Sequence, residues 1–131
     1  MSERMRPFLM FQGQAEEALR FYVSVIPDSE ILDLRLRGAG VPGEEGTVLG
    51  GEARIGGQTV MVFDSPVEHA FGFTPRISFF VEADSEAEIE RIYGALAEGG
   101  QVLMELANHG FSRRFGWVND RFGVSWQINL A

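Results

Sequence analysis

The stretch Phe115-Gly116-Trp117-Val118-Asn119-Asp120-Arg121-Phe122-Gly123-Val124-Ser125-Trp126-Gln127-Ile128-Asn129 sets two alternating strand-like runs on either side of a short turn-forming segment. It reads as a closing β-hairpin. Asn119 and Asp120 tolerate unusual backbone angles, and Gly123 takes positive φ at little cost just before the second run. In that second run Val124, Trp126, Ile128 and Leu130 point to one face and Ser125, Gln127 and Asn129 to the other, so one face is core and the opposite one is mixed.

Working back from the hairpin, the chain states one pattern twice. Arg6-Pro7-Phe8-Leu9-Met10-Phe11 is a short apolar run, and Ala15, Ala18, Leu19, Tyr22, Val25 and Ile26 then recur at the spacing of one helix face. Pro27-Asp28 ends that helix. Strands follow at Glu30 to Leu36, Thr47 to Ile55 and Gln58 to Asp64, the last two joined by Gly56-Gly57, a two-residue hairpin signal. The second statement opens with Pro75-Arg76-Ile77-Ser78-Phe79-Phe80-Val81, in which Ile77, Phe79 and Val81 alternate with Arg76, Ser78 and Phe80. A helix with Ile89, Ile92, Tyr93 and Leu96 on one face follows, begun by a Ser85/Glu88 capping box and ended by Gly99-Gly100. Gln101 to Leu106 and the two hairpin runs complete it. The order is βαβββ in both halves, which predicts an α+β fold of two modules, 1–70 and 71–131, within a single domain 1–131.

Composition narrows the function classes. A chain of 131 residues fits one domain, and buries roughly two-thirds of its unfolded surface. Cysteine is absent, which removes disulfides, thiolate nucleophiles and cysteine metal sites together. The opening Met1-Ser2-Glu3-Arg4-Met5-Arg6 is not apolar, and no run approaches the ~18 apolar residues of a membrane span, so the expected location is cytoplasmic. Eleven basic against nineteen acidic residues leave a net charge of −8, which repels a nucleic-acid backbone or an anionic membrane surface. The expected partners are a small-molecule ligand and a second copy of the chain, with neither nucleic acid nor membrane. The homodimer rests on many large apolar residues for the length, including eleven Phe and two Trp, and on the prevalence of isologous dimers.

The closing run, the early helix ending in Phe21-Tyr22 and the Gly56-Gly57 hairpin together resemble, over nearly the whole chain, the PhnB-like branch of the glyoxalase/bleomycin-resistance superfamily. That branch ends in a motif close to F-G-x-V-x-D-x-F-G-V-x-W-x-I-N and is often labelled 3-demethylubiquinone-9 3-methyltransferase-like. The resemblance implies the vicinal-oxygen-chelate fold, in which paired βαβββ modules form curled mixed sheets with a concave cup. Ligands of the superfamily bind on that inner face. Where a metal is present, one side chain from each of four strands holds it, usually His, Glu or Gln. Carried onto this chain, those positions are Pro7, Met61 or Phe63, Arg76 and Gln127, of which Gln127 alone is a plausible ligand. The expectation is therefore no metal and no cofactor. A methyltransferase built on S-adenosylmethionine is also not expected, because Phe11-Gln12-Gly13-Gln14 is too meagre a glycine turn and βαβββ is not a doubly wound cofactor domain.

Residues on the mixed face are the candidate ligand-binding set: Arg76, Ser78, Ser125, Gln127 and Asn129. The Arg76 guanidinium offers a planar fork suited to a carboxylate or phosphate, or else pairs with one of the acidic residues, and Arg113 and Arg114 lie just before the hairpin. Phe8, Phe11, Phe80, Phe115 and Trp117 divide between core and pocket lining. The two histidines, His69 and His109, sit in loops; each is a solvated side chain or, beside Asp64 or Glu105, a base or metal ligand. Glycines 38, 40, 43 and 46 make either a plain surface loop or a flap. Two function classes follow. One is a protein that binds a small anionic or carbonyl-bearing organic molecule without a conventional metal site; the alternative is a glyoxalase-fold enzyme of lyase, isomerase or dioxygenase type with a non-standard or lost metal site, whose catalytic residues the sequence leaves unknown.

Overall fold

A computed structural model describes residues 4–131. The chain divides into two compact units, Met1–Ala70 and Phe71–Ala131, and each repeats one arrangement. In the first unit β1 (Phe8–Phe11), α1 (Ala15–Val25), β2 (Glu30–Leu36), β3 (Val48–Ile55) and β4 (Gln58–Asp64) form a four-stranded sheet of order β1-β4-β3-β2. In the second, β5 (Phe79–Glu82), α2 (Glu86–Ala97), β6 (Gln101–Ala107), β7 (Arg114–Asn119) and β8 (Ser125–Leu130) form a sheet of order β5-β8-β7-β6. The first strand of each unit pairs in parallel with the last, and the other pairings are antiparallel. Both sheets are therefore mixed, and the fold class is α+β with two βαβββ modules.

Local chemistry accounts for the boundaries. Gly56 and Gly57 both take positive φ, +59° and +84°, the requirement of a type I′ turn whose twist matches the flanking strands. Ser85 caps α2 by accepting from Glu88 N at 3.1 Å, while the Glu88 carboxylate accepts from Asp84 N at 3.0 Å. Each helix buries the face its spacing marks: Ala15, Ala18, Leu19, Tyr22 and Val25 in α1, and Ile89, Ile92 and Leu96 in α2. Val124, Trp126, Ile128 and Leu130 are all buried in the second unit.

Two expectations need correction. The strand opening the second unit starts at Phe79 rather than Pro75: Pro75 and Arg76 lie in a turn, and Ile77, read as core, is 80% exposed. Parallel pairing with β8 begins at Phe79↔Trp126, so residues before it have no ladder to join and alternation over them carries no burial. In the hairpin turn, Gly123 takes positive φ (+91°) while Asn119 and Asp120 do not. Asp120 serves otherwise. It is 3% exposed, and its carboxylate accepts from Phe122 N at 2.9 Å, Val124 N at 3.0 Å and Trp126 Nε1 at 2.9 Å, which locks the turn to the core tryptophan.

Candidate functional site

The face of the second sheet away from α2 is set by register. Gln127 stands between Phe80 of β5 and Trp117 of β7, and Asn129 between Glu82 and Phe115; directly paired residues share a face. This open face has two parts. At one end Ser78 Oγ lies 2.6 Å from Ser125 Oγ, Trp117 Nε1 donates to Ser125 Oγ at 2.9 Å, and Gln127 Nε2 donates to Ser78 Oγ at 3.4 Å. At the other, Asn129 Nδ2 donates to both Glu82 carboxylate oxygens at 3.3 Å, beside rings of Phe80, Phe115 and Phe111. Phe115 is buried under the other two, with centroids 6.3 Å from Phe80 and 5.0 Å from Phe111, whereas Phe80 and Phe111 are exposed. An apolar wall with a short row of polar groups is the usual make-up of a small-molecule site.

The five sequence-predicted site residues fare differently. Ser78, Ser125 and Gln127 form one hydrogen-bonded group. Asn129 shares their face but bonds to Glu82, an acidic neighbour that the sequence reading passed over although its even spacing from Phe80 marks the same face. Ser125 is 1% exposed, so its hydroxyl is closed to solvent. Arg76 sits in the turn two residues before Ser78, exposed, and no bond ties it to the other four. The internal ion pair considered for it is not present among the described residues. Arg113 and Arg114 are engaged elsewhere: Arg113 Nε donates to Ala131 O at 2.9 Å, and Arg114 bridges Glu86 and Glu90 of α2 at 3.0 and 2.6 Å. Bonds to Glu90 and then Glu86 raise the Arg114 pKa above its ordinary value.

The histidines and the glycine loop are tied down by local bonds. His69 Nε2 lies 3.2 Å from Ser65 Oγ, and His109 of the second unit meets the Glu105 backbone carbonyl at 2.8 Å rather than a carboxylate. Asp64 is buried and accepts from Gly13 N, Ala15 N and Val48 N at 2.8, 3.0 and 2.9 Å, so it caps α1. Residues 38–46 are held at their base, where Gly46 N donates to Arg37 O at 2.9 Å and Arg37 N to Thr47 O at 2.8 Å. Arg37 itself is 5% exposed; its Nη atoms bond Thr47 Oγ1 at 2.9 Å and the Asp64 carbonyl at 2.7 Å. A cleft of about 350 Å³ beside this loop is lined by Gln12, Glu44, Thr47, Asp64, Ser65 and Glu68. Its deepest carboxylate, Asp64, is already occupied by backbone donors.

The profile of the family described as 3-demethylubiquinone-9 3-methyltransferase matches residues 3–129. The chain belongs to this PhnB-like family. Among solved structures it is similar to a "putative 3-demethylubiquinone-9 3-methyltransferase, PhnB protein" from Bacillus cereus, 44% identical with a TM-score of 0.96, covering 98% of this chain and 100% of that one. Protein PA1353 from Pseudomonas aeruginosa is 30% identical with a TM-score of 0.85 and 98% of each chain covered. A glyoxylase/bleomycin resistance protein/dioxygenase domain from Frankia, 14% identical with a TM-score of 0.69 over 100% of this chain and 93% of that one, shares the fold. The fold is thereby that of the glyoxalase/bleomycin-resistance group.

In this PhnB-like chain the strand positions that the sequence resemblance assigns to metal ligands have these neighbours. Met61 pairs with Phe8 and Glu52, and Glu52 is ion-paired with Arg6 at 2.5 Å. Phe63 stacks on Phe8 at 5.0 Å. Gln127 has Phe80 and Trp117 beside it. Among the described residues no group of three or more His, Cys, Asp or Glu side chains is close enough to hold a metal ion. No helix of the described residues is long and apolar enough to cross a membrane.

Proposed function

We infer that this PhnB-like protein binds a small anionic or carbonyl-bearing organic molecule on the open face of its second sheet, with Arg76, Ser78, Gln127 and Asn129 as polar anchors and Ser125 behind them. The observation that carries the reading is the hydrogen-bonded Ser78–Gln127 pair set between exposed Phe80 and half-buried Trp117, with the Arg76 guanidinium, exposed and without an ion pair among the described residues, two residues away in sequence. A planar fork of donors suits a carboxylate or phosphate. Three of the four donors at the superfamily's metal positions do not fit a divalent ion, since thioether or phenyl, guanidinium and proline groups offer neither imidazole nor carboxylate, and Gln127 by itself makes no site. The reading therefore needs no metal or cofactor. It also sets aside the methyltransferase named in the family description, since two mixed sheets of order β1-β4-β3-β2 and β5-β8-β7-β6 lack the parallel, doubly wound crevice of a nucleotide-type cofactor domain. A second copy of the chain is the expected partner, and the cytoplasm the expected location.

Thermal-shift measurement with benzoate and with divalent metals tests this. A ligand at 100 times its Kd stabilises by about 2.7 kcal/mol. Benzoate is expected to raise the melting temperature of the parent, and Arg76→Met, which keeps length and removes charge, is expected to lose most of that rise while melting unchanged without benzoate. Stoichiometric zinc, nickel or manganese in protein purified without added metal would overturn the proposal, as would an Arg76→Met variant that responds like the parent.

A further inference from the structure

The Trp117–Ser125–Ser78 group has a direction. Indole N–H is a donor only, so Ser125 Oγ accepts from Trp117 Nε1, at 2.9 Å. Ser125 is 1% exposed, which denies its own proton a water partner. Ser78 Oγ, 2.6 Å away, is the acceptor the structure provides for that proton, and leaving it unmade would strand a buried hydroxyl at about 1–3 kcal/mol. The Ser125 proton therefore goes to Ser78. Ser78 Oγ also accepts from Gln127 Nε2 at 3.4 Å, so both its lone pairs are engaged, and among the described residues its own proton has no acceptor. Ser78 is half-buried on the open face. Its hydroxyl is left with one role, to donate outward.

We propose that Ser78 is the specificity-determining donor of this face, taking an acceptor oxygen of the ligand, carbonyl or carboxylate, at the end of a one-way chain that runs Trp117 N–H to Ser125 O–H to Ser78 O–H. The proposal rests on the open-face reading above and adds the polarity of the ligand atom and the residue that selects it. Chains of this kind polarise cooperatively, each bond strengthening the next by about 10–30%. An acceptor at Ser78 is thus felt at the Trp117 indole, while a donor of the same shape meets a proton and is refused. Ser125 is a positioning residue: it orients Ser78 and does not touch the ligand.

The two tryptophans make this measurable. Trp117 lies in the chain, and Trp126 donates instead to Asp120 at 2.9 Å on the helix-facing side, so its indole signal is an internal reference. In ¹⁵N-labelled protein, benzoate is expected to move the Trp117 indole proton downfield and leave Trp126 in place; benzylamine, with the same ring and a donor head, is expected to move neither. Ser78→Ala should raise the benzoate Kd about tenfold or more, as for loss of a bond to a charged group, and abolish the Trp117 response; Ser78→Thr should restore both. If benzoate shifts the backbone amides of Gln127 and Asn129 while Trp117 stays still, or if Ser78→Ala binds benzoate as the parent does, the donor chain is wrong although the open-face site stands. If benzylamine binds as benzoate does, the polarity is wrong. If no amide of the second sheet responds to benzoate at tens of millimolar, the open-face reading fails and this proposal with it.

Discussion

Replacing Asp120 by alanine is expected to destabilise the second unit by about 3 kcal/mol. The carboxylate serves three donors, and two of the bonds, from Val124 N and Trp126 Nε1, are buried. Each buried donor left without an acceptor costs about 1–3 kcal/mol. For the two buried donors that is about 2–6 kcal/mol, and the relief of no longer burying a charge lowers the net loss to about 3 kcal/mol. For a chain of this size the loss corresponds to a fall of about 10 °C in melting temperature. The assay is urea unfolding followed by tryptophan fluorescence, with Asp120→Ala, Trp126→Phe and the double variant forming a cycle. Trp126→Phe keeps a ring against Phe79, 4.8 Å away between centroids, and removes only the indole donor and some volume. The two losses should overlap by about 1 kcal/mol or more, because either change breaks the same bond. Asp120→Asn should fall between alanine and the parent, since one amide oxygen replaces one carboxylate oxygen and the amide N–H₂ then opposes a donor. An Asp120→Ala variant within about 0.5 kcal/mol of the parent, the range of ordinary surface substitutions, would refute the role given to this carboxylate, and so would strict additivity in the cycle.

Gly116→Ala should cost about 1–3 kcal/mol by overpacking, because a Cβ there would stand 2.6 and 2.7 Å from Tyr93 Cδ2 and Cε2; Gly116→Ala combined with Tyr93→Ala should lose less than the sum of the single changes, and a single variant that melts like the parent would show that the ring simply swings aside. The proposed homodimer predicts a sedimentation mass of two chains at micromolar concentration, and a mass of 14.5 kDa, that of one chain, would sink it.

What the sequence determined by itself is everything whose cause lies within one turn or one strand. The helix faces of α1 and α2, the Ser85 cap, the paired glycines of the β3–β4 turn and the alternation through Val124, Trp126, Ile128 and Leu130 are local patterns: periodicities of 3.6 and 2 and backbone angles that glycine alone takes readily. Repeated in the same order, they already require two βαβββ modules. Tertiary structure decided the rest, and its decisions are long-range. Alternation extends through Ile77 as readily as through Phe79, and only the register with β8, which begins at Phe79↔Trp126, tells which residue joins the sheet. Asp120 looks like a turn residue until the indole six positions later is folded back onto it. Arg37 looks like a surface charge until the Asp64 carbonyl, 27 residues on, closes over it. The candidate site shows the same division. Alternation puts Ser125, Gln127 and Asn129 on one face, as the strand register does, yet Ser125 is closed to solvent and tied to Ser78 by a bond across 47 residues. Which of several exposed polar groups finds a partner depends on strand pairing, and pairing is settled by burial over the whole sheet rather than by the neighbours of any one residue.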